Sequence, residues 1–121
     1  MSQTPATIAT RRLKQRAEFL AVADARRKCA VHGLVLQGRP RGDGASAIGI
    51  GFTATRKIGG AVVRNRARRR LREAARAALA AKGQAGWDYV AIARGETGAR
   101  PFAELVSDFE RALAKLAKGP A

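Results

Sequence analysis

The sequence predicts an α/β sandwich, a small mixed sheet with helices packed against it. Three observations carry that prediction. The stretch Arg56 to Arg76 holds nine of the 24 basic residues and has the period of an amphipathic helix. Trp87 to Arg94 is nearly continuous in apolar residues, as a central strand buried on both faces should be. Phe102, Leu105, Val106, Phe109, Leu113 and Leu116 fall at the spacing of one helix face, which reads as core. With the strands expected upstream, the order is helix, two or three strands, helix, strand, helix.

Met1 to Thr10 is polar, contains Pro5 and has no periodicity, so a disordered tail is expected over residues 1–10 and a single domain over 11–121. Arg16 to Ala25 is expected to be helical. Phe19, Val22 and Ala23 share one face, and Arg26, Arg27 and Lys28 close the helix favourably for its dipole. Cys29 to Gln37 reads as extended, a short strand near Cys29 and a second at Leu34, with Gly33 as a bulge. Gly38 to Gly44 reads as a loop, and Asp43-Gly44 is a hairpin signal. Ala45 to Thr55 alternates Ile48, Ile50 and Phe52 with Gly49, Gly51 and Thr53, a bulky face against a flat one open to close approach.

Gly60 is a serviceable N-cap for the arginine helix, which should stop at Lys82-Gly83. Around that helix, Ala67, Ala74, Ala75 and Ala78 flank Leu71 in a thin inward seam. Asn65, Arg69, Arg72 and Arg76 lie on the far side, widened by Arg66 and Arg70. Glu73 is the only acid in the run, so the charges are not compensated within the helix. Arginine in this density suits a polyanion, because a guanidinium grips phosphate with paired hydrogen bonds. Gly95 to Arg100 is a loop, and Pro101 fits the first position of the last helix.

A net charge of +15 points to nucleic acid first and an anionic membrane surface second. The apolar runs are far shorter than the ~20 residues a spanning helix needs, and the first residues lack the apolar centre of a signal peptide. One cysteine, Cys29, excludes an intramolecular disulfide and fits a reducing cytoplasm. His32 is the sole histidine; with Cys29 it has no second pair of zinc ligands. Nothing pairs Ser46 or Ser107 with it in a catalytic arrangement. Arg56-Lys57-Ile58-Gly59-Gly60 precedes a helix N-terminus but lacks P-loop spacing. The chain by itself lacks the parts for hydrolysis, which favours a binding role or a subunit whose partner supplies the chemistry.

Lys57-Ile58-Gly59-Gly60-Ala61-Val62-Val63-Arg64-Asn65-Arg66, followed by Arg68-Arg69 and Arg72-Glu73, resembles the signature of the bacterial ribonuclease P protein component. Arg12-Leu13-Lys14 with Glu18-Phe19 and Val22, Gly49-Ile50 to Lys57, and Asp88-Tyr89-Val90 with Ile92-Ala93-Arg94 extend the resemblance over most of the chain. It implies a four-stranded mixed sheet with three helices in the order αβββαβα, with a left-handed βαβ crossover in place of the usual right-handed one. It implies a protein subunit, one per RNA subunit, of a ribonucleoprotein endonuclease that removes 5′ leaders from precursor tRNA. The catalytic RNA would hold the Mg²⁺, with no dedicated metal site and no catalytic residue in the protein. By position, Arg64, Asn65, Arg66, Arg68, Arg69 and Arg72 would contact the catalytic RNA. A cleft between the first helix and the sheet, lined by Phe19, Val22, Ala23, Leu34 and Gln37 with Arg56 and Lys57, would take the leader.

Two positions depart from the family pattern. Ala23 and Gln37 stand where aromatics are common, which leaves Phe19 as the one base-stacking candidate and shifts the load to arginines and backbone. Phe19 reads either as that platform or as core. A ribosomal-type RNA-binding protein is the alternative that size and charge allow, and a DNA-binding module the third. The motif favours the ribonuclease P reading over both.

Overall fold

A computed structural model describes residues 9–118. The elements are β1 (Thr10–Arg12), α1 (Arg16–Asp24), β2 (Lys28–Ala30), β3 (Leu34–Pro40), β4 (Ile48–Thr53), a 3₁₀ turn (Arg56–Ile58), α2 (Ala61–Lys82), β5 (Trp87–Ala93) and α3 (Phe102–Ala117). One mixed sheet runs β1-β4-β5-β3-β2. β5 is its centre, antiparallel to β3 and parallel to β4, as its unbroken apolar run implies. The α/β sandwich with three helices stands.

The strand count differs from the expectation: five, not four. The extra strand is β1, which pairs parallel with β4, Arg11 opposite Gly49. Three exposed residues, Thr10-Arg11-Arg12, carry no apolar alternation to announce it. Thr10 therefore belongs to the sheet, Ala9 accepts from the Ile48 N–H beside it, and residues 1–8 of the expected tail lie outside the described residues. The Asp43-Gly44 hairpin does not form. β5 inserts between β3 and β4, so their connection spans a strand rather than closing a tight turn. Gly38 to Pro40, expected in the loop, extends β3 in register with Tyr89, Asp88 and Trp87.

Gly60 caps α2 in extended conformation, and Gly83 ends it at φ −67, so the stop does not use glycine's left-handed freedom. Space selects Gly83 instead: a Cβ there would lie 2.7 Å from the Leu79 carbonyl oxygen and 2.9 Å from Ile48.

The sheet carries two cores. On one face Leu34, Leu36, Ile48, Ile50, Tyr89 and Ala91 pack with Leu71 and the alanine seam of α2 and with Leu105, Phe109 and Leu113 of α3. On the other a smaller core joins Leu13, Val22 and Val90, with Phe19 and Ile92 at its margin. The alternation of β5 divides them: odd residues face α2 and α3, even residues face α1.

Candidate nucleic-acid interface

α2 turns its seam inward, Ala67, Leu71, Ala74, Ala75 and Ala78 all buried. Asn65, Arg69, Arg72 and Arg76 are exposed on the opposite side. No arginine of α2 takes part in an ion pair among the described residues; those pairs draw on Arg11, His32, Arg41, Arg100 and Arg111. The outward strip is therefore a row of arginines in no ion pair, with Glu73 the one acid of the helix.

The flanks of the helix behave differently. Arg70 donates to the carbonyls of Thr97 and Arg100, and Arg66 donates to that of Gly98, so both tie α2 to the 94–100 loop. That loop is itself anchored. Thr97, fully buried, donates from Oγ1 to the Gly33 carbonyl at 2.6 Å and accepts from the Arg94 N–H. Asp108 accepts from the Gly33 N–H, Arg100 and Arg111. Burial pushes the Asp108 carboxyl up, but the Arg100 hydrogen bond and charge, with Arg111, more than offset it and hold it below the usual range. Arg64 and Arg68 are half-buried beside the seam, and Arg68 donates to the Asn65 side chain.

The second surface lies between α1 and the sheet. Phe19 sits on Gly51: a Cβ added there would lie 2.6 Å from its ring. The flat face of β4 is thus filled in part by this chain's own aromatic ring. Val22 is fully buried beneath, whereas Ala23 is exposed. Gln37 is half-buried, in register with Val90 and on the same face. Leu34 does not line this cleft. It is fully buried in the other core, and Val35, opposite Ile92, faces α1 in its place. Leu34-Val35-Leu36 is apolar at every position and gives no phase. Gly38 does: a Cβ there would strike the Tyr89 ring at 2.8 Å, so even positions of β3 face the α2–α3 core. Arg56 and Lys57 are exposed in the 3₁₀ turn, at the carboxyl end of β4 where α2 begins.

Sequence reasoning missed the polar wall of this surface. Arg41 donates to Asp88 at 2.8 Å and to the carbonyls of Trp87, Ala45 and Ala47. Arg11 reaches Glu18 at 2.7 Å and stands 3.8 Å from Asp88. The Arg11 hydrogen bond, with the N–H groups of Gln15 and Lys14, lowers Glu18 to about 2. The Glu18 half was legible as a first-turn acid with capping-box spacing from Gln15. The long-range half had no local signal. Among the described residues no group of three His, Cys, Asp or Glu side chains is placed to hold a metal ion.

Fold and strip together define a small basic α/β protein with a row of exposed arginines along one helix. Comparison with known proteins narrows this. The family model described as Ribonuclease P matches residues 9–117, and the chain belongs to that family. It is 51% identical over 106 residues to the ribonuclease P protein component of Ruegeria pomeroyi, covering 86% of this chain and 84% of that one. It is 54% identical over 104 residues to that of Gluconacetobacter diazotrophicus, covering 86% and 89%. The RNase P protein from Thermotoga maritima superposes with a TM-score of 0.67 at 27% identity, covering 92% of this chain and 98% of that one.

Proposed function

We propose that the chain is the protein subunit of a ribonucleoprotein endonuclease, and that it helps a catalytic RNA bind precursor tRNA and remove its 5′ leader. The observation that carries this reading is the α2 strip: Asn65, Arg69, Arg72 and Arg76 face outward, the arginines in no ion pair among the described residues, on a chain of this family. The strip, with Arg64, Arg66 and Arg68 beside it, neutralises phosphates of the RNA subunit. The α1 cleft takes the single-stranded leader, with Phe19 as the stacking ring, Ala23 and Gln37 at its rim, and Arg56 and Lys57 supplying charge. Val22 holds the helix on the sheet.

No side chain of this protein performs the chemical step. The two buried carboxylates, Asp88 and Asp108, are committed to arginines. Mg²⁺ held by the RNA would supply the metal-ion chemistry, and the protein's cations lower the charge density that ions would otherwise have to screen. No helix among the described residues is long and apolar enough to cross a membrane, and one copy per RNA subunit, in the cytoplasm, fits the reading.

The test is cleavage of precursor tRNA by the chain, the RNA subunit and the two together, across Mg²⁺ and salt. Expected are no cleavage by the chain, some by the RNA at high Mg²⁺, and full activity at low Mg²⁺ only for the pair. Assembly should weaken steeply with salt, since bound phosphates release counterions. Cleavage by RNA-free protein, or affinity for the RNA indifferent to salt, would overturn the proposal.

A further inference from the structure

At the β2 edge of the sheet a cavity of about 450 Å³ is lined by Arg26, Arg27, Lys28, Cys29 and Ala30 on one side and Lys115 and Leu116 of α3 on the other. Four of these residues are cations and none is an acid. Arg26, Lys28 and Lys115 are in no ion pair among the described residues. Charge that complements the carboxyl end of a helix accounts for Lys115 on α3 and for the Arg26-Arg27-Lys28 run after α1, but not for the cavity between them.

The backbone adds a second observation. Arg26 stands at φ 57, and it is the only non-glycine residue with positive φ among those described. Glycine or asparagine ends a helix in that conformation at lower cost. Here a long cation occupies it, followed at once by Arg27, whose guanidinium is 5.6 Å from the Trp87 ring centroid. The Arg27 carbonyl accepts from the Gly38 N–H at 3.1 Å, so the turn is pinned to β3. A strained cation held beside an acid-free cavity points to an anion.

We propose that this cavity is a second phosphate-binding site, and that it takes the sugar–phosphate backbone of the RNA subunit. The choice of partner follows from the side of the sheet. α2 and α3 pack on each other over one face, and the α1 cleft lies on the other. Cys29, opposite Leu36, faces the α3 side, whereas Lys28, opposite Gln37, faces the α1 side. An RNA docked on the α2 strip lies over the helix layer and reaches the cavity past α3. A leader in the cleft lies across the sheet from it. The inference rests on the assembly reading above.

The experiment is binding of the RNA subunit by the parent and by Arg26→Ala/Lys115→Ala, at several salt concentrations. Both side chains are exposed, and an unchanged thermal melt checks the fold. The variant should bind about tenfold more weakly at low salt, and its log–log salt slope should be shallower by about one. In the parent, alkylation of Cys29, the sole thiol, should be slowed by the RNA subunit and not by orthophosphate or a mononucleotide. A folded variant with parental affinity and slope overturns the site. So does a variant that assembles normally but holds precursor tRNA less well, which would give the cavity to the substrate. Protection of Cys29 by orthophosphate as strong as by the RNA overturns it in favour of a free-anion site. A parent that fails to bind the RNA subunit defeats the assembly reading itself, a result distinct from these.

Discussion

The ring of Phe19 occupies the space above Gly51 that a side chain there would need, with a Cβ at 51 only 2.6 Å from Cε2. The two residues are one device: a strand glycine that seats an aromatic ring from α1. Phe19 is half-buried at the margin of the smaller core, so it is neither free platform nor full core. Phe19→Ala should therefore cost about 2 kcal/mol of stability, below the ~3–5 kcal/mol of a fully buried phenylalanine. It should also remove the preference of the holoenzyme for leadered over mature tRNA. Gly51→Val should displace the ring, reducing leader preference while assembly persists. A thermal melt of each variant beside the two tRNA affinities checks both.

Arg41 and Asp88 form a nearly dry ion pair, with side chains 7% and 4% exposed. Arg41→Ala would leave the Asp88 carboxylate buried with only Arg11 near it, and would strip the donors from three carbonyls. The expected loss is about 3–5 kcal/mol, as for other buried pairs broken from one side. Arg41→Lys should recover only part of it, since an ammonium cannot reach all these acceptors. Denaturant titration of both variants decides the point: equal stabilities would show that only the charge matters.

Most of the fold was legible because its signals are local. The α3 stripe, the α2 seam and the apolar β5 each need only one window of sequence, and their bounds are met closely. β1, the inserted position of β5 and the Arg41–Asp88 pair were not legible. Each depends on residues brought together over distance, with no periodicity to report it. The cleft was half legible: Phe19 and Val22 carry the helix period, whereas the face of Leu34 is set by Gly38 meeting Tyr89 across the strand.

Glu18 sets an acid limit. Its ordinary value of 4.5 falls to about 2 in the folded chain, through Arg11 and the N–H groups of Gln15 and Lys14. The folded state thus binds its proton later than the unfolded state does. The stabilisation is complete above about pH 5 and is lost as pH falls from there toward about 2. Glu18→Gln keeps an acceptor for the two N–H groups and removes the charge. The melting temperature of the parent should fall more steeply than that of the variant between about pH 5 and pH 2. Parallel curves would show that Arg11–Glu18 contributes nothing to stability. The other carboxylates are the same in both proteins, so the difference isolates Glu18.

Neighbouring arginines on α2 should separate by function. Arg69 and Arg72 are exposed on the outward strip, whereas Arg70 is half-buried and donates to the carbonyls of Thr97 and Arg100. Arg69→Ala and Arg72→Ala should leave the melting temperature unchanged, since neither side chain touches the Leu71 seam. Each should remove one charge-assisted contact to the RNA subunit, on the order of 1.5–3 kcal/mol of assembly free energy. Arg70→Ala should do the reverse. It leaves two carbonyls of the 94–100 loop without a donor, at about 1–3 kcal/mol of stability. Because that loop is fixed by Thr97 to Gly33, the loss should spread to the β2–β3 turn as faster amide exchange there. Melting, RNA-subunit binding and exchange on the three variants provide the readout. A folded Arg69→Ala/Arg72→Ala protein that binds the RNA subunit as the parent does would move the assembly surface off this strip. An Arg70→Ala protein as stable as the parent would show that the loop does not depend on α2.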